Sequence, residues 1–144
     1  NFFIETAINF GNYYGSPYKN LKNLKKNQIL FDIDWKGARK IRKKIDKKDI
    51  IDFFILPPSI KELENRLSSR GQDTFDVVKS RMIKSKEEIS HWSEYDYILV
   101  NSDLGLVHDD INSIIRTERL KRVNRQKLVE FVNSLNVEFK ERYE

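Results

Sequence analysis

Apolar residues follow two rhythms along this chain. Continuous apolar blocks stand at Ile29, Leu30, Phe31 and Ile33, at Phe53, Phe54, Ile55 and Leu56, and at Tyr97, Ile98, Leu99 and Val100. Such blocks suit short strands covered on both faces, and they predict strands over 29–34, 52–56 and 95–101. Elsewhere apolar positions recur every three or four residues, the period of an amphipathic helix. Ala38, Ile41 and Ile45 predict a helix over 35–45. Ile60, Leu63 and Leu67 predict one that ends near Gly71, and Val77, Val78, Met82, Ile83 and Ile89 one over 74–90. Ile111, Ile114 and Ile115 follow a helix start at Asp103, and Leu128, Phe131, Val132, Leu135 and Phe139 mark a last helix over 124–143. Punctuation agrees with these limits: Asp34 is a cap for the first helix, Pro57 and Pro58 stop a strand, and Ser59 with Glu62 forms a capping box.

The N-terminal stretch is less regular. Phe2, Phe3 and Ile4 form a short apolar run ending in Glu5, and Asn12 with Gly11 and Gly15 brackets Tyr13 and Tyr14. This reads as two short strands with turns, a small surface unit and not a core. Ser16 followed by Pro17 predicts a helix start, with the helix running to about residue 26. The whole order is strand, helix, strand, helix, helix, strand, helix, so the expected core is a parallel, doubly wound α/β sheet. Three strands are few for an open sheet, which predicts a missing edge.

Asp32 and Asp34 change the picture from fold to chemistry. They lie two apart at the end of the first predicted strand and so share a face, at the carboxyl end where α/β sheets place ligands. The plainer reading leaves Asp34 as a helix cap and Asp32 as a polar strand end. The helix that follows carries Arg39, Lys40, Arg42, Lys43 and Lys44, an arrangement that usually marks a solvated face. Arg66 and Arg70 are four apart on one helix face, and Arg81 lies on the next helix. Planar, permanently charged guanidinium groups suit phosphate oxygens. Spacing alone fits a helical lid over a phosphoryl group and surface ion pairs with Glu62, Glu64 or Asp76 equally well. Tyr13, Tyr14 and Ser16 offer hydroxyls to a small polar ligand and Glu5 an acceptor to a purine edge, although tyrosines beside a turn ordinarily pack. His91 and His108 are isolated and read as structural.

Composition adds limits. The sequence has 144 residues, 39% hydrophobic and 34% charged, with 5 Gly and 3 Pro, enough for one domain with a core and too few breakers for long disorder. It contains no cysteine, which excludes disulfides and thiolate metal sites and fits a reducing cytoplasm. No apolar run has the length of a membrane span. The formal charge of +5 favours anionic partners. The basic stretch 116–127 lacks interleaved aromatics, so it reads as a solvated face and not as a nucleic-acid stripe.

Taken together, seven collinear segments resemble guanylate kinase of the bacterial type. They are F-x-E at 3–5, F-G-N-Y-Y-G-S at 10–16, L-F-D-I-D-W-K-G-A at 30–38, F-I-L-P-P-S at 54–59, R-L-x-x-R-G-Q-D at 66–73, S-H-W-S-E-Y-D-Y-I-L-V-N at 90–101 and I-I-R-T-E-R-L at 114–120. The resemblance implies a P-loop-kinase-like α/β fold: a parallel sheet flanked by helices, part of a small GMP-binding β unit, and a helical lid. It implies a single partial domain over 1–144, with 1–28 the remainder of the GMP unit, 29–65 core, 66–91 lid and flanking helices, and 92–144 core and C-terminal helix. It further implies phosphoryl transfer from ATP to GMP with Mg²⁺, in a cytoplasmic monomer or homodimer with neither nucleic acid nor membrane as partner. By the same resemblance Glu5, Tyr14, Ser16 and Asp34 serve GMP, while Asp32, Arg70 and Arg81 serve catalysis. Asp32 would reach the metal through water, and Arg66 and Asn101 would border the ATP base.

One departure weighs against these matches. The family's phosphate-binding loop, G-x-x-G-x-G-K-[ST], and its S-x-T-T-R-x-x-R segment are absent. Both belong upstream of Phe3, and the loop holds the ATP phosphates. The expectation is therefore a C-terminal portion, inactive by itself. The alternative is a non-catalytic module of the same fold that binds GMP or a phosphorylated protein.

Overall fold

A computed structural model describes residues 2–9, 12–17, 28–69, 74–125 and 127–144. The chain forms two compact units, Asn1–Asn101 and Ser102–Glu144. The first unit begins with an antiparallel hairpin of β1 (Phe3–Asn9) and β2 (Asn12–Pro17). Helix α1 (Trp35–Arg42) packs on β1, and a 3-10 turn at Lys47–Asp49 leads to β3 (Phe53–Leu56). Helices α2 (Ile60–Ser69) and α3 (Phe75–Ile89) pack together and form the crossover to β4 (Tyr97–Val100). Strands β3 and β4 are parallel neighbours, with Phe53 opposite Tyr97 and Leu56 opposite Val100. A parallel pair needs such a crossover because a tight turn cannot join it. The second unit consists of α4 (Leu104–Leu120), a 3-10 turn at Arg122–Asn124 and α5 (Leu128–Tyr143).

The N-caps read from the sequence are in place, but of the Ser59–Glu62 capping box only the Ser59 half forms among the described residues, because the Glu62 carboxylate takes Arg66 at 2.8 Å. Asp34 accepts the Gly37 amide at 2.8 Å, Ser59 the Glu62 amide at 3.1 Å and Asp103 the Leu106 amide at 2.9 Å. Each satisfies an otherwise unpartnered donor of the first helical turn.

Four expectations are corrected. The stretch 29–34 is not a ladder strand: no described strand lies alongside it, and Leu30 is 92% exposed. An apolar run becomes a buried strand only when neighbours pair its backbone and cover its side chains. The N-terminal unit is not merely surface, because Ile4 is 0% exposed and Glu5 lies inside β1, not at its end. Ser16 and Pro17 end β2 and do not start a helix; the Ser16 hydroxyl reaches across to Glu5, which leaves it no role as a cap. The predicted helix from there to residue 26 lies outside the described residues, as does the helix end at Arg70 and Gly71. Finally, Ile60, Ile83, Ile55 and Val100 are exposed, so the predicted apolar stripes and strands are only partly covered. In α5 the predicted apolar positions Phe131, Val132, Leu135 and Phe139 are likewise exposed, while Val107 and Glu118 are the buried positions of the second unit among the described residues.

The basic face of α1 is not simply solvated. Arg39 grips Glu94 with two hydrogen bonds, Nε to Oε2 at 2.7 Å and Nη2 to Oε1 at 2.5 Å. His91 holds the same carboxylate at 2.6 Å and stacks on Trp35 at 3.6 Å between ring centres. The Arg39 guanidinium also lies 4.5 Å over the Trp35 ring. These bonds from Arg39 and then His91 draw the Glu94 carboxyl down to about 2. Next to this cluster, Arg42 donates to Asp52 at 2.7 Å and covers the Tyr95 ring at 4.4 Å, while Asp52 accepts the Asp96 amide at 2.8 Å. The network joins α1 to the approaches of both parallel strands.

Asp52 gives this network a pH dependence. Burial pushes its carboxyl up, but the Asp96 amide, Arg42 and Lys47 together outweigh burial, so it titrates below the ordinary aspartate range. A carboxyl depressed in the folded state contributes stability above its unfolded pKa of about 4, and that contribution is lost as pH falls through the folded value. Asp52→Asn should therefore lower stability at pH 7 by about 2 kcal/mol, since it removes the charged partner Arg42 holds at 2.7 Å and leaves it only Glu94 at 3.8 Å among the described residues. Urea midpoints at pH 7 and pH 3 check this. The gap between native and variant should shrink at pH 3, and an unchanged gap would show that the Asp52 charge is not its source.

Candidate functional site

The site begins in the hairpin. Along β1 and β2 the register runs Glu5 opposite Ser16, Thr6 opposite Gly15 and Ala7 opposite Tyr14, but Phe3 faces Pro17. Ile4 is therefore the extra residue of a β-bulge. A regular strand would send Ile4 and Glu5 to opposite faces. At the bulge both are buried, with Glu5 only 4% exposed. Bulges commonly re-aim a side chain in this way beside functional sites.

Glu5 and Ser16 share a face as directly opposed residues, and Tyr14 lies on it too, two positions from Ser16. The Ser16 hydroxyl donates to Glu5 Oε1 at 2.9 Å. The second oxygen, Oε2, is buried and has no hydrogen-bond partner among the described residues. A buried carboxylate oxygen left without a donor costs on the order of 1–3 kcal/mol, a cost that a ligand bringing a donor would recover. On the other face, the Phe3 ring lies against Gly15, where a Cβ would come within 2.8 Å of it. Glycine thus lets the ring cross the strand. Tyr14 is exposed.

Helix α1 brings its first turn to the same carboxylate. At Gly37 an added Cβ would lie 3.1 Å from Ile33 Cβ, 3.4 Å from Asp34 Oδ1 and 3.4 Å from Glu5 Oε2. The missing side chain leaves room for both the cap carboxylate and Glu5 close to the first turn of α1. Asp34 is half-buried, whereas Asp32 is exposed and carries no hydrogen bond or ion pair among the described residues. Glu88 of α3 lies near this end of α1. Burial pushes its carboxyl above the usual range; Lys84 opposes that and Asp34 adds to it.

The remaining predicted residues separate into groups. Arg66 of α2 is held by Glu62 at 2.8 Å and donates to the Asn101 carbonyl at 3.0 Å, so these two sequence-distant residues meet at the end of β4. Arg81 is half-buried on α3. Arg70 lies outside the described residues. Among the described residues no group of three or more His, Cys, Asp or Glu could hold a metal ion, and no helix is long and apolar enough to cross a membrane.

The guanylate kinase family model matches residues 1–118 of this chain. The chain belongs to the guanylate kinase family. Among curated relatives, guanylate kinase of Cereibacter sphaeroides is 47% identical over 141 residues, 96% of this chain and 67% of that protein. Guanylate kinase of Rhodospirillum rubrum is 47% identical over 134 residues, 92% of this chain and 61% of that protein. The crystal structure of guanylate kinase from Anaplasma phagocytophilum superposes with a TM-score of 0.77 at 36% identity, covering 93% of this chain and 65% of that one. The chain thus spans about two thirds of the length of the relatives it matches, and its fold is the α/β, P-loop-kinase-like fold of that family.

Several residues at this guanylate-kinase-like site escaped the sequence reading. The bulge at Ile4 leaves no mark in the apolar pattern, because register is a property of two strands. Glu88 looks like one more charge on a surface helix. Lys40 and Lys44 belong to a stretch whose composition reads as a solvated face, although their spacing of four points to a common target.

Proposed function

We propose that the full-length protein transfers the γ-phosphoryl group of ATP to GMP, giving ADP and GDP. The observation that carries this reading is the buried Glu5 carboxylate, held at one oxygen by Ser16 and with no donor to the other among the described residues. Guanine offers two donors, N1–H and the 2-amino group, on one edge. Adenine offers an acceptor at N1 and no 2-amino group, so it would leave the carboxylate unpaired; sites built on such bonds discriminate strongly.

In this reading residues 1–28 are what this chain contributes to the GMP unit, and Tyr14 offers its hydroxyl to the GMP phosphate. Ser16 fixes the carboxylate and adds a guanine contact, and Asp34 orients the GMP side while it caps α1. Residues 66–91 supply the lid, where Arg70 and Arg81 steady the equatorial oxygens of the transferred group. Arg66 and Asn101 border the ATP base. Asp32 suits Mg²⁺: it is an exposed hard oxygen donor, and this ion is held through one or two carboxylates, waters and substrate phosphates, not by a dedicated cage. Asp32 would hold the ion through water, and the bound ion would neutralise charge on the β- and γ-phosphates. Neither aspartate has to act as a strong base, because positioning and charge neutralisation dominate this reaction.

The test is a coupled assay of the full-length protein with ATP, Mg²⁺ and either GMP or AMP. GDP formation with GMP and far slower turnover with AMP is expected. Absence of GDP, together with tight binding of a phosphorylated peptide, would instead make it a non-catalytic module.

A further inference from the structure

Lys40 and Lys44 both direct their ammonium groups to β1. Lys40 donates to the carbonyl of Thr6 and Lys44 to the carbonyl of Ile4. These carbonyls belong to the two residues that flank Glu5 in sequence. One of them, Ile4, is also the bulged residue at which the hairpin register shifts. Between the two lysines Ile41 is buried, and one turn earlier Gly37 closes on the Glu5 carboxylate. Helix α1 and the turn after it thus touch the Glu5 segment at three successive levels: Gly37 at the side chain, Lys40 of the helix beyond it, and Lys44, two residues past the helix end, before it.

We propose that Lys40 and Lys44 are positioning residues for base selection: they hold the bulge at Ile4 in register and so aim the Glu5 carboxylate. This rests on Glu5 being the guanine acceptor. The physical need is specific. At a bulge the extra residue is left unpaired and the ladder is locally disrupted, so the backbone beside Glu5 has fewer strand-to-strand bonds to fix it, and any change of register there turns side chains to the other face. Ser16 alone restrains one carboxylate oxygen but not the backbone beneath it. Two ammonium donors, one from α1 and one from the turn that ends it, restrain that backbone at the carbonyls either side of Glu5, and binding groups depend on such support to stay within about half an ångström of productive geometry. Neither lysine need touch the nucleotide.

The test is a double-mutant cycle in the full-length protein, read by calorimetric binding of GMP and IMP; IMP lacks the 2-amino group. Lys40→Met with Lys44→Met should weaken GMP binding about tenfold, a typical coupling for neighbouring groups, and erase most of the preference for GMP over IMP. The same pair of substitutions placed on Glu5→Gln should change GMP binding less than about twofold, because the group they aim is gone. Lys40→Arg with Lys44→Arg, which keeps both donors, should restore the preference. Retained preference in the Met variant, or equal losses with and without Glu5→Gln, would overturn the proposal. If the double Met variant does not fold, each single Met variant should show a partial loss of preference under the same comparison. Native protein that shows no preference for GMP over IMP would remove the Glu5 assignment itself, and this proposal with it.

Discussion

Glu5→Gln in the full-length protein should lower kcat/KM for GMP about a hundredfold while leaving the slow reaction with AMP nearly unchanged. The estimate follows from losing a charge-assisted hydrogen bond, worth about 1.5–3 kcal/mol, at a buried carboxylate. Glutamine keeps the size of the side chain and can still accept from Ser16 through its carbonyl oxygen. Its amide group, however, then faces the guanine edge with donors where guanine also presents donors. The effect should fall on base selection and not on the fold. In the free protein Glu5 carries a buried oxygen without a partner among the described residues, and neutral glutamine relieves that cost. The melting temperature of Glu5→Gln should therefore be equal to or higher than that of the native protein. Steady-state kinetics with both nucleotides and a thermal melt check the two halves together. Unchanged base preference would remove Glu5 from the guanine site, and a lower melting temperature would make Glu5 a structural residue.

Asp32→Asn should act in the opposite compartment of the reaction. It should reduce kcat about a hundredfold or more, as loss of a positioned charge beside a transferring phosphoryl group does, with little change in GMP affinity. Asp32 is exposed and unpartnered among the described residues, so replacing it should leave stability within about 0.5 kcal/mol of native. That separates it from Asp34, whose carboxylate caps α1 and whose loss would loosen the helix that carries Gly37. Turnover measured across a Mg²⁺ titration, with GMP affinity by calorimetry, checks the assignment. Equal losses in kcat and in GMP affinity would make Asp32 a ligand-binding residue only.

How far the site could be read in advance depends on where each residue finds its partners. Asp34, Ser59 and Asp103 were legible as caps because the amides they accept lie three residues away, within reach of local geometry. Glu5 was legible as a chemical candidate, and its motif tied it to a family. Its burial, its pairing with Ser16 and its free oxygen were not legible, because they depend on a hairpin register and on a helix far along the chain. The stretch 29–34 shows the reverse case. Its composition is that of an inner strand, yet a strand is defined by neighbours, and no described strand pairs with it. The basic residues of α1 show a third case: a Lys or Arg on a helix looks solvated until the tertiary fold places Glu94, Asp52 or a β1 carbonyl within its reach.

By itself, then, the sequence determined helices α1 to α5, the caps of α1, α2 and α4, the β3 and β4 segments and the family, since propensity, apolar period and contiguous motifs are all local properties of the chain. Only the tertiary structure decided that a bulge turns Glu5 inward, that Gly37 brings α1 against it, and that Lys40 of α1 and Lys44 of the turn after it reach the carbonyls on either side. Those facts are contacts between distant segments, and the free energy that selects them comes from burial and pairing that no single segment contains.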